Sequence, residues 1–423
     1  MPEFQTTPGT RDILAPDAAR WRAFTSEFAG VVEAAGFEQM ILPMFEELGV
    51  FQRLGDATDV VTKEMYDFVD KGGRHVALRP EQTAGVCRAY VQHRPVAPWK
   101  VWYSGPNFRY EKAQQGRYRQ FDQVGVEVLG VDDPLLDVEV IALAHDFFRT
   151  LGLRNVVLHV NSLGDHGDRN RYVDALAAYF AANKSALGEE SRSTLERNPL
   201  RVLDSKRPAE RDVIAEAPSI VDFLSPDARD HFDAVRSGLE LLGIDFVVND
   251  RLVRGLDYYR RTTFEFTSSA LDAAQTAVGG GGRYDGLVED LGGPATPGVG
   301  FAIGLDRTLL ACDAEGVFPA PSRAAEVFVV DTTDGRAALK VCASLRSAGI
   351  RVEQSYGAKS MKSQMKSANR SGAGLAVIIG DDELARGVAT LRSMNEGEQR
   401  EIPLDNVVPA VTAAVATMKK AQQ

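Results

Sequence analysis

The chain has 423 residues, 44% hydrophobic and 25% charged, with 38 glycines and 19 prolines, a globular composition that excludes disordered, fibrous and membrane-spanning classes. Its 48 Lys+Arg against 59 Asp+Glu leave a formal net charge of −11, which taken alone argues against a polyanionic partner. Cys87, Cys312 and Cys342 are far apart and form no CxxC pair, so a disulfide framework and a structural zinc finger are excluded. With no run of about 18 apolar residues and no leader-like start, a reducing cytoplasm is the expected location.

In chain order, Arg79-Pro80-Glu81-Gln82-Thr83 first sets a carboxylate at a proline-fixed turn. Residues 99–103 and 121–129 are rich in β-formers and predict strands with antiparallel partners. Between them Phe108-Arg109-Tyr110-Glu111 and Gly116-Arg117-Tyr118-Arg119-Gln120-Phe121 predict a hairpin whose polar loop ends at Gly116. Period two puts Arg119, Phe121, Gln123 and Glu127 on one face: a phosphate-gripping fork, a stacking ring, an amide and a carboxylate. The other face (Val124, Val126, Val128) is read as only partly apolar, and so many arginines on a hairpin point to a binding site rather than a solvated surface.

From 165 to about 245 the sequence turns polar, alanine-rich and helical, with 172–182 and 226–242 as the clearest periods, which predicts a helical insertion in a sheet domain. Residues 252–261 gather Arg254, Asp257 and the pair Tyr258-Tyr259 around a glycine, ahead of a strand at 262–267. Gly279 to Gly282, then Arg283-Tyr284-Asp285-Gly286, read as a hinge or as a place where backbone comes close to a ligand. Gly298-Val299-Gly300 with Gly304 is a poor dinucleotide loop because its third glycine is one residue late, and Asp306-Arg307 places a cation at a helix start.

A turn-like stretch at 316–322 separates a first domain, 1–320, from a second, 324–423. There a strand at 326–331, a helix at 335–348, a strand at 351–355, a polar helix at 360–371, a strand at 375–379 and a helix at 407–420 predict a small α/β domain with a largely parallel core. This domain carries 13 Lys+Arg against 11 Asp+Glu, or +2, and leaves 35 against 48, or −13, for the rest. Lys359, Lys362, Lys366 and Arg370, spaced by three, four and four, predict a cationic stripe along one helix face. The sequence has no GxxxxGK[ST], GxSxG or HExxH, and its six histidines lack metal spacing, so no metal-ligating residue is assigned.

Taken together these residues resemble a known family. The Phe-Arg-x-Glu to Gly-Arg-x-Arg-Gln-Phe hairpin resembles motif 2 of class II aminoacyl-tRNA synthetases, residues 298–307 their motif 3, and residues 36–43 their motif 1. Leu252-Val-Arg254-Gly-Leu-Asp257-Tyr258-Tyr259, Gly281-Gly282-Arg283-Tyr284-Asp285-Gly286 and Gly9-Thr10-Arg11-Asp12 are similar to signatures of the histidyl branch. The resemblance implies an α+β catalytic domain with an antiparallel sheet of the class II synthetase type carrying a helical insertion, plus a C-terminal α/β anticodon-binding domain. It also implies ATP and L-histidine as substrates, a histidine tRNA as acceptor, Mg²⁺ held mainly by the ATP phosphates, and a homodimer built around a proline matching Pro43.

By the same resemblance, Arg109 and Arg254 flank the α-phosphate as the catalytic cations, while Arg117 or Arg119 and Arg307 meet the outer phosphates. Glu111 accepts from the adenine amino group, with Phe121 on one side of the base and Arg307 on the other. Glu127 and Tyr259 read the imidazole, Glu81, Thr83 and Gln123 hold the α-amino group, and Tyr258 and Tyr284 complete the histidine set together with Arg109 and Arg254. Lys112 and Gln114 lie in the loop that meets an extra 5′ guanosine of the tRNA, where the family's bacterial members usually read Arg-Pro-Gln and this chain reads Lys112-Ala113-Gln114. The stripe of Lys359, Lys362, Lys366 and Arg370 is assigned to the anticodon arm. The main rival is the non-catalytic paralogue that regulates an ATP phosphoribosyltransferase of histidine biosynthesis. It typically lacks both the second domain and the Arg-Gly-Leu-Asp-Tyr-Tyr signature.

Overall fold

The computed structural model describes residues 4–52, 63–205, 207–252, 258–271, 276–321, 324–357 and 359–421, and divides into two compact units, Met1–Pro321 and Ser322–Gln423. In the first unit an eight-stranded sheet runs, in spatial order, β1 (Glu38–Gln39), β5 (Trp99–Phe108), β6 (Gln120–Leu129), β11 (Gly298–Gly304), β10 (Ala277–Arg283), β9 (Arg260–Ser268), β7 (Val156–Ser162) and β8 (Phe246–Val248). The six inner strands pair antiparallel and the short edge strands β1 and β8 pair parallel. A second sheet orders β2 (Phe45–Glu47), β4 (His75–Leu78) and β3 (Tyr66–Val69).

An antiparallel sheet with one face on a core alternates apolar and polar residues, and β6 follows that rule. Val124, Val126 and Val128 are fully buried in one cluster with Phe24 and Phe28 of helix Asp17–Ala34 and Phe147 and Phe148 of helix Pro134–Thr150. Gln120 and Asp122 continue the same alternation at the start of the strand, so the face is partly apolar, as expected. Phe147 stands edge-on to Phe24 and Phe28, with centroids 4.9 and 5.1 Å apart, the geometry aromatic quadrupoles favour. Because three valines point into this core, Phe121, Gln123 and Glu127 must point the other way. Helix Pro134–Thr150 begins where Asp133 accepts from the Leu135 N–H at 2.8 Å, with proline at its first position, and it carries Asp137 beneath the sheet.

Between β7 and β8 the chain leaves the sheet for helices His166–Ala182, Glu189–Arg197, Arg211–Ala215 and Pro226–Leu241. The first three surround a separate core that includes Tyr172, Leu176, Phe180, Leu200 and Ile220, while Phe232, Val235 and Leu239 of the last helix join the main core. The Ser225 hydroxyl accepts from the Ala228 N–H at 3.3 Å and donates to Asp168 at 3.1 Å, which ties the start of the last helix to the first turn of the first.

The second unit holds a five-stranded sheet ordered β13 (Val352–Gln354), β12 (Val327–Asp331), β14 (Leu375–Ile379), β15 (Val388–Ser393) and β16 (Gln399–Pro403). β12 and β14 are buried at every residue, the continuous apolar reading of central parallel strands. Only the β12 joints are parallel; β14, β15 and β16 pair antiparallel, so the core is more mixed than the expected alternation of strand and helix. No helix among the described residues is long and apolar enough to cross a membrane.

Candidate active site

Missing side chains on both faces of β10 and β11 shape this part of the sheet, Gly281 on the core side with Phe301 and Gly300 on the side of Glu127. The stretch Gly279 to Gly282, expected as a hinge or as a place of close backbone approach to a ligand, is part of strand β10, and Gly279 and Gly280 line a cleft. A Cβ on Gly281 would lie 2.0 Å from the Gly300 carbonyl oxygen, and one on Gly300 would lie 1.8 Å from a carboxylate oxygen of Glu127. Glycine is needed at both positions for the strands to pair and for Glu127 to lie flat across β11. Gly298 to Gly304 is likewise strand β11, which removes the dinucleotide-loop reading.

At the inner end of this surface Glu127, 1% exposed, is ringed by hydroxyls. Thr83 Oγ1 donates to it at 2.7 Å, the Tyr103 hydroxyl at 3.1 Å and the Tyr284 hydroxyl at 2.5 Å. Burial pushes its pKa up to about 8, against the lowering effect of the Tyr284 and Thr83 hydrogen bonds. Glu81 is also buried, which raises its pKa, and its two oxygens accept from the backbone N–H groups of Thr83 (2.6 Å) and Ala84 (2.8 Å) at the start of helix Thr83–His93. Tyr258 packs 4.6 Å from Tyr259 and edge-on to Tyr284 at 5.8 Å. Glu81, Thr83, Tyr103, Arg109, Gln123, Glu127, Tyr258, Tyr259 and Tyr284 thus line one small polar pocket.

That pocket shares Arg109, Gln123, Tyr259 and Gly280 with a neighbouring cleft of about 370 Å³. Here Arg109, Arg117 and Arg307 converge with Glu111 and Phe121. Burial, then the proximity of Arg117 and Arg109, lowers the pKa of Arg307, while the carboxylates of Glu265 and Asp306 act against that shift. Arg307 is oriented by donating to the carbonyls of Gly116 (3.1 Å) and Ala277 (3.3 Å), and Arg109 by donating to that of Pro80 (2.9 Å). Glu111 is ion-paired to Arg117, and the Arg109 guanidinium sits 5.2 Å from the Phe121 ring centroid.

Among the expected residues, Arg119 stands apart. It precedes β6 rather than starting it, and its guanidinium covers the Tyr110 ring at 3.9 Å while Nε donates to the Glu111 carbonyl at 3.2 Å. It does not line the cleft, whereas Arg117 does. Arg254 and Asp257 lie outside the described residues. Lys112 and Gln114 are exposed on the hairpin loop, and Lys359, Lys362, Lys366 and Arg370 are all exposed. Lys359 is not helical: helix Met361–Ser371 is capped by Ser360, so its face carries Lys362, Lys366 and Arg370, with Gln364 and Ala368 buried on the other side.

Some members of the site escaped the motif reading. Tyr103 reaches Glu127 because Gly125 leaves it room, a Cβ there falling 2.5 Å from its hydroxyl. Asn107, fully buried, donates to the Gln123 side-chain oxygen at 2.7 Å and fixes that amide. Arg11 pairs with Asp306 at 2.5 Å and lies 4.0 Å over the Tyr118 ring, so the Gly-Thr-Arg-Asp opening braces the hairpin loop. Glycine at position 125 of an otherwise valine-rich strand was the one available signal for Tyr103.

A family model described as histidyl-tRNA synthetase matches residues 9–308, and one described as anticodon binding domain matches residues 326–414. The histidine–tRNA ligase of Rhodococcus erythropolis is 48% identical over 96% of this chain and 96% of its own length. That of Saccharopolyspora erythraea is 46% identical over 98% of this chain and 100% of its own. Among solved structures, apo histidyl-tRNA synthetase from S. aureus superposes with a TM-score of 0.82 at 35% identity, covering 96% of this chain and 99% of that one. An ATP phosphoribosyltransferase regulatory subunit/histidyl-tRNA synthetase from Bacillus halodurans, 19% identical with a TM-score of 0.64, shares the fold and covers 89% of this chain. Sequence motifs, sheet order, pocket and near-full-length relatives agree, and the chain belongs to the histidyl-tRNA synthetase family.

Proposed function

We propose that the chain is a histidine–tRNA ligase. It activates L-histidine with ATP to histidyl-adenylate and pyrophosphate, then transfers the histidyl group to the 3′ end of the histidine tRNA. The observation that carries this reading is a pair of neighbouring cavities that share Arg109, Gln123, Tyr259 and Gly280, one holding a hydroxyl-ringed carboxylate and the other three converging arginines. Free histidine has a ring pKa near 6.5 and at neutral pH offers one N–H donor and one acceptor. Glu127 and Tyr259 suit that pair, with Tyr258 and Tyr284 walling the ring and Glu81, Thr83 and Gln123 facing the α-amino group. Such a pocket rejects an analogue lacking the ring nitrogens by roughly 10⁴-fold, since its own polar groups would be left unpaired.

In the first step a histidine carboxylate oxygen attacks the α-phosphorus, the bond to the bridging oxygen breaks, and pyrophosphate departs with that electron pair. Charge grows on phosphate oxygens, so fixed cations matter more than an acid or base. Arg109, at the junction of pocket and cleft, is placed to meet the α-phosphate, the role it shares with Arg254. Arg117 and Arg307 take the outer phosphates, Phe121 stacks on the base, and Glu111 accepts from the adenine amino group after releasing Arg117. Mg²⁺ would enter with ATP, held mainly by its phosphate oxygens.

Lys112 and Gln114 on the hairpin loop meet the acceptor end of the tRNA, and Lys359, Lys362, Lys366 and Arg370 meet the phosphates of its anticodon arm. The exposed Ile41, Met44 and Phe45 beside Pro43 are 87%, 52% and 56% accessible, and that apolar edge suits a homodimer interface. The enzyme works in the cytoplasm. Histidine-dependent ATP–pyrophosphate exchange tests the reading: exchange with histidine and no other amino acid is expected. No exchange would favour the regulatory paralogue, and exchange driven by another amino acid would overturn the pocket assignment.

A further inference from the structure

The pocket has a buried polar foundation to which no catalytic role is assigned above. Arg283, 0% exposed at the end of β10, donates through Nη2 to Asp137 Oδ1 at 2.5 Å and through Nη1 to the Val131 carbonyl at 3.2 Å and to Asp285 Oδ1 at 3.3 Å. Asp285 in turn accepts from the Gly298 N–H at 3.1 Å. Tyr284, the residue between these two anchored neighbours, donates its backbone N–H to the Gly298 carbonyl at 2.8 Å and its hydroxyl to Glu127.

The opposing strand is built to fit. β9 carries two extra residues, Arg261 and Thr262, opposite the Gly282/Arg283 step, and Arg261 takes the left-handed conformation at φ 46°. The Arg261 side chain reaches Asp165 at 2.7 Å, the residue that precedes the first helix of the insertion, and Asp132 at 3.2 Å. From the last helix of the insertion, buried His231 donates Nε2–H to Asp137 Oδ2 at 2.8 Å, the carboxylate being an acceptor only. Both roots of the insertion therefore end in the ion cluster that holds the backbone on either side of Tyr284.

We infer that Arg283 is a positioning residue for histidine recognition, acting through Tyr284 on Glu127, and that His231 extends the same chain of contacts into the helical insertion. The inference rests on the histidine-pocket reading above. Arg283 is too distant in the hydrogen-bond sequence to touch substrate, so its effect must disappear when Tyr284 can no longer reach Glu127. A double-mutant cycle measures that dependence.

The full-length enzyme is assayed by histidine-dependent ATP–pyrophosphate exchange as Arg283→Lys, Tyr284→Phe and the double variant. Displacing a group that aligns the substrate is worth on the order of tenfold to a hundredfold, so Arg283→Lys is expected to raise the histidine KM about tenfold, with the ATP KM within about twofold of wild type. In the Tyr284→Phe background the same substitution should add less than about twofold. Multiplicative effects in the double variant, or equal rises in the KM for histidine and ATP, overturn the inference. Should Arg283→Lys fail to fold, His231→Leu replaces it in the cycle, with His231→Gln, which keeps an N–H donor, expected to restore the histidine KM. A His231→Gln variant as impaired as His231→Leu overturns the inference. An unchanged histidine KM in Tyr284→Phe alone overturns the pocket reading itself, a result distinct from loss of the coupling.

Discussion

Replacing Glu127 by glutamine separates what the carboxyl costs the fold from what it contributes to recognition. Burial raises its pKa from the ordinary 4.5 to about 8, so across that interval the folded chain holds a proton that the unfolded chain has released. Stability must fall as pH rises through this window, at up to about 1.4 kcal/mol per pH unit for one group. Glutamine has no such dependence. Relative to wild type, Glu127→Gln should gain stability between pH 5 and pH 8, by up to about 4 kcal/mol. The amide oxygen can still accept from the hydroxyls that surround it, and a hydroxyl facing the amide N–H₂ can accept in turn.

Histidine affinity should move in the opposite direction. Above pH 8, where the carboxyl is ionised, an acceptor for the imidazole N–H is lost, and a hydrogen bond to a charged group is worth about 1.5–3 kcal/mol, or roughly 10- to 150-fold in the histidine KM. Urea melts at pH 5 and pH 8, set beside pyrophosphate-exchange kinetics about one pH unit above the Glu127 pKa, measure the two effects on one preparation. A stability difference that is the same at both pH values would refute the buried-carboxyl argument. An unchanged histidine KM would refute recognition by Glu127.

Arg307→Gln should raise the ATP KM about tenfold or more and leave the histidine KM within about twofold, because a charge-assisted hydrogen bond to phosphate is removed from the outer cleft only; equal effects on both substrates would contradict the division of the cavity. Gly300→Ala forces a Cβ to within 1.8 Å of the Glu127 carboxylate and 2.3 Å of the Val126 carbonyl oxygen, so exchange activity should fall by roughly 100-fold or more and the melting temperature should drop with it; wild-type activity would contradict the close packing of β6 and β11. Neutralising Lys359, Lys362, Lys366 and Arg370 together should weaken tRNA binding and flatten its salt dependence by about one unit of log–log slope for each phosphate that no longer meets a cation, while exchange without tRNA is unaffected. An unaltered salt slope would place the anticodon arm elsewhere.

Much of the site was legible because chemistry and geometry share one short stretch of sequence. The period of β6 alone puts Phe121, Gln123 and Glu127 on one face, and the valines between them bury. Reading that period one residue too far brought in Arg119, which sits in the loop and stacks on Tyr110. Lys359 failed in the same way, since a regular spacing of cations does not stop at a helix cap whereas the helix does. The β14–β15–β16 meander went unmarked because β15 and β16 mix polar with apolar residues and lack the solid apolar run of β12 and β14. What no local pattern could show is the pairing of residues far apart in sequence: Asp137 with Arg283 and His231, or Tyr103 with Glu127. His231 looked like an isolated histidine, and its partner is 94 residues away.

The glycine floor of the cavity limits how its specificity can change. A pocket walled by large side chains can be enlarged by trimming them, but Gly279, Gly280, Gly300 and Gly304 have nothing left to trim, and added atoms at Gly279 or Gly300 would strike the neighbouring strands or Glu127. Space for a bulkier amino acid has to come from larger lining residues, among them Tyr258, Tyr259 and Tyr284. Tyr284 is also a hydrogen-bond donor to the discriminating carboxylate, so widening the pocket at this position weakens the group that selects its occupant. Within this scaffold, size and identity of the amino acid are chosen by the same residue, and an enzyme with relaxed size selection would be expected to lose its preference for an imidazole as well.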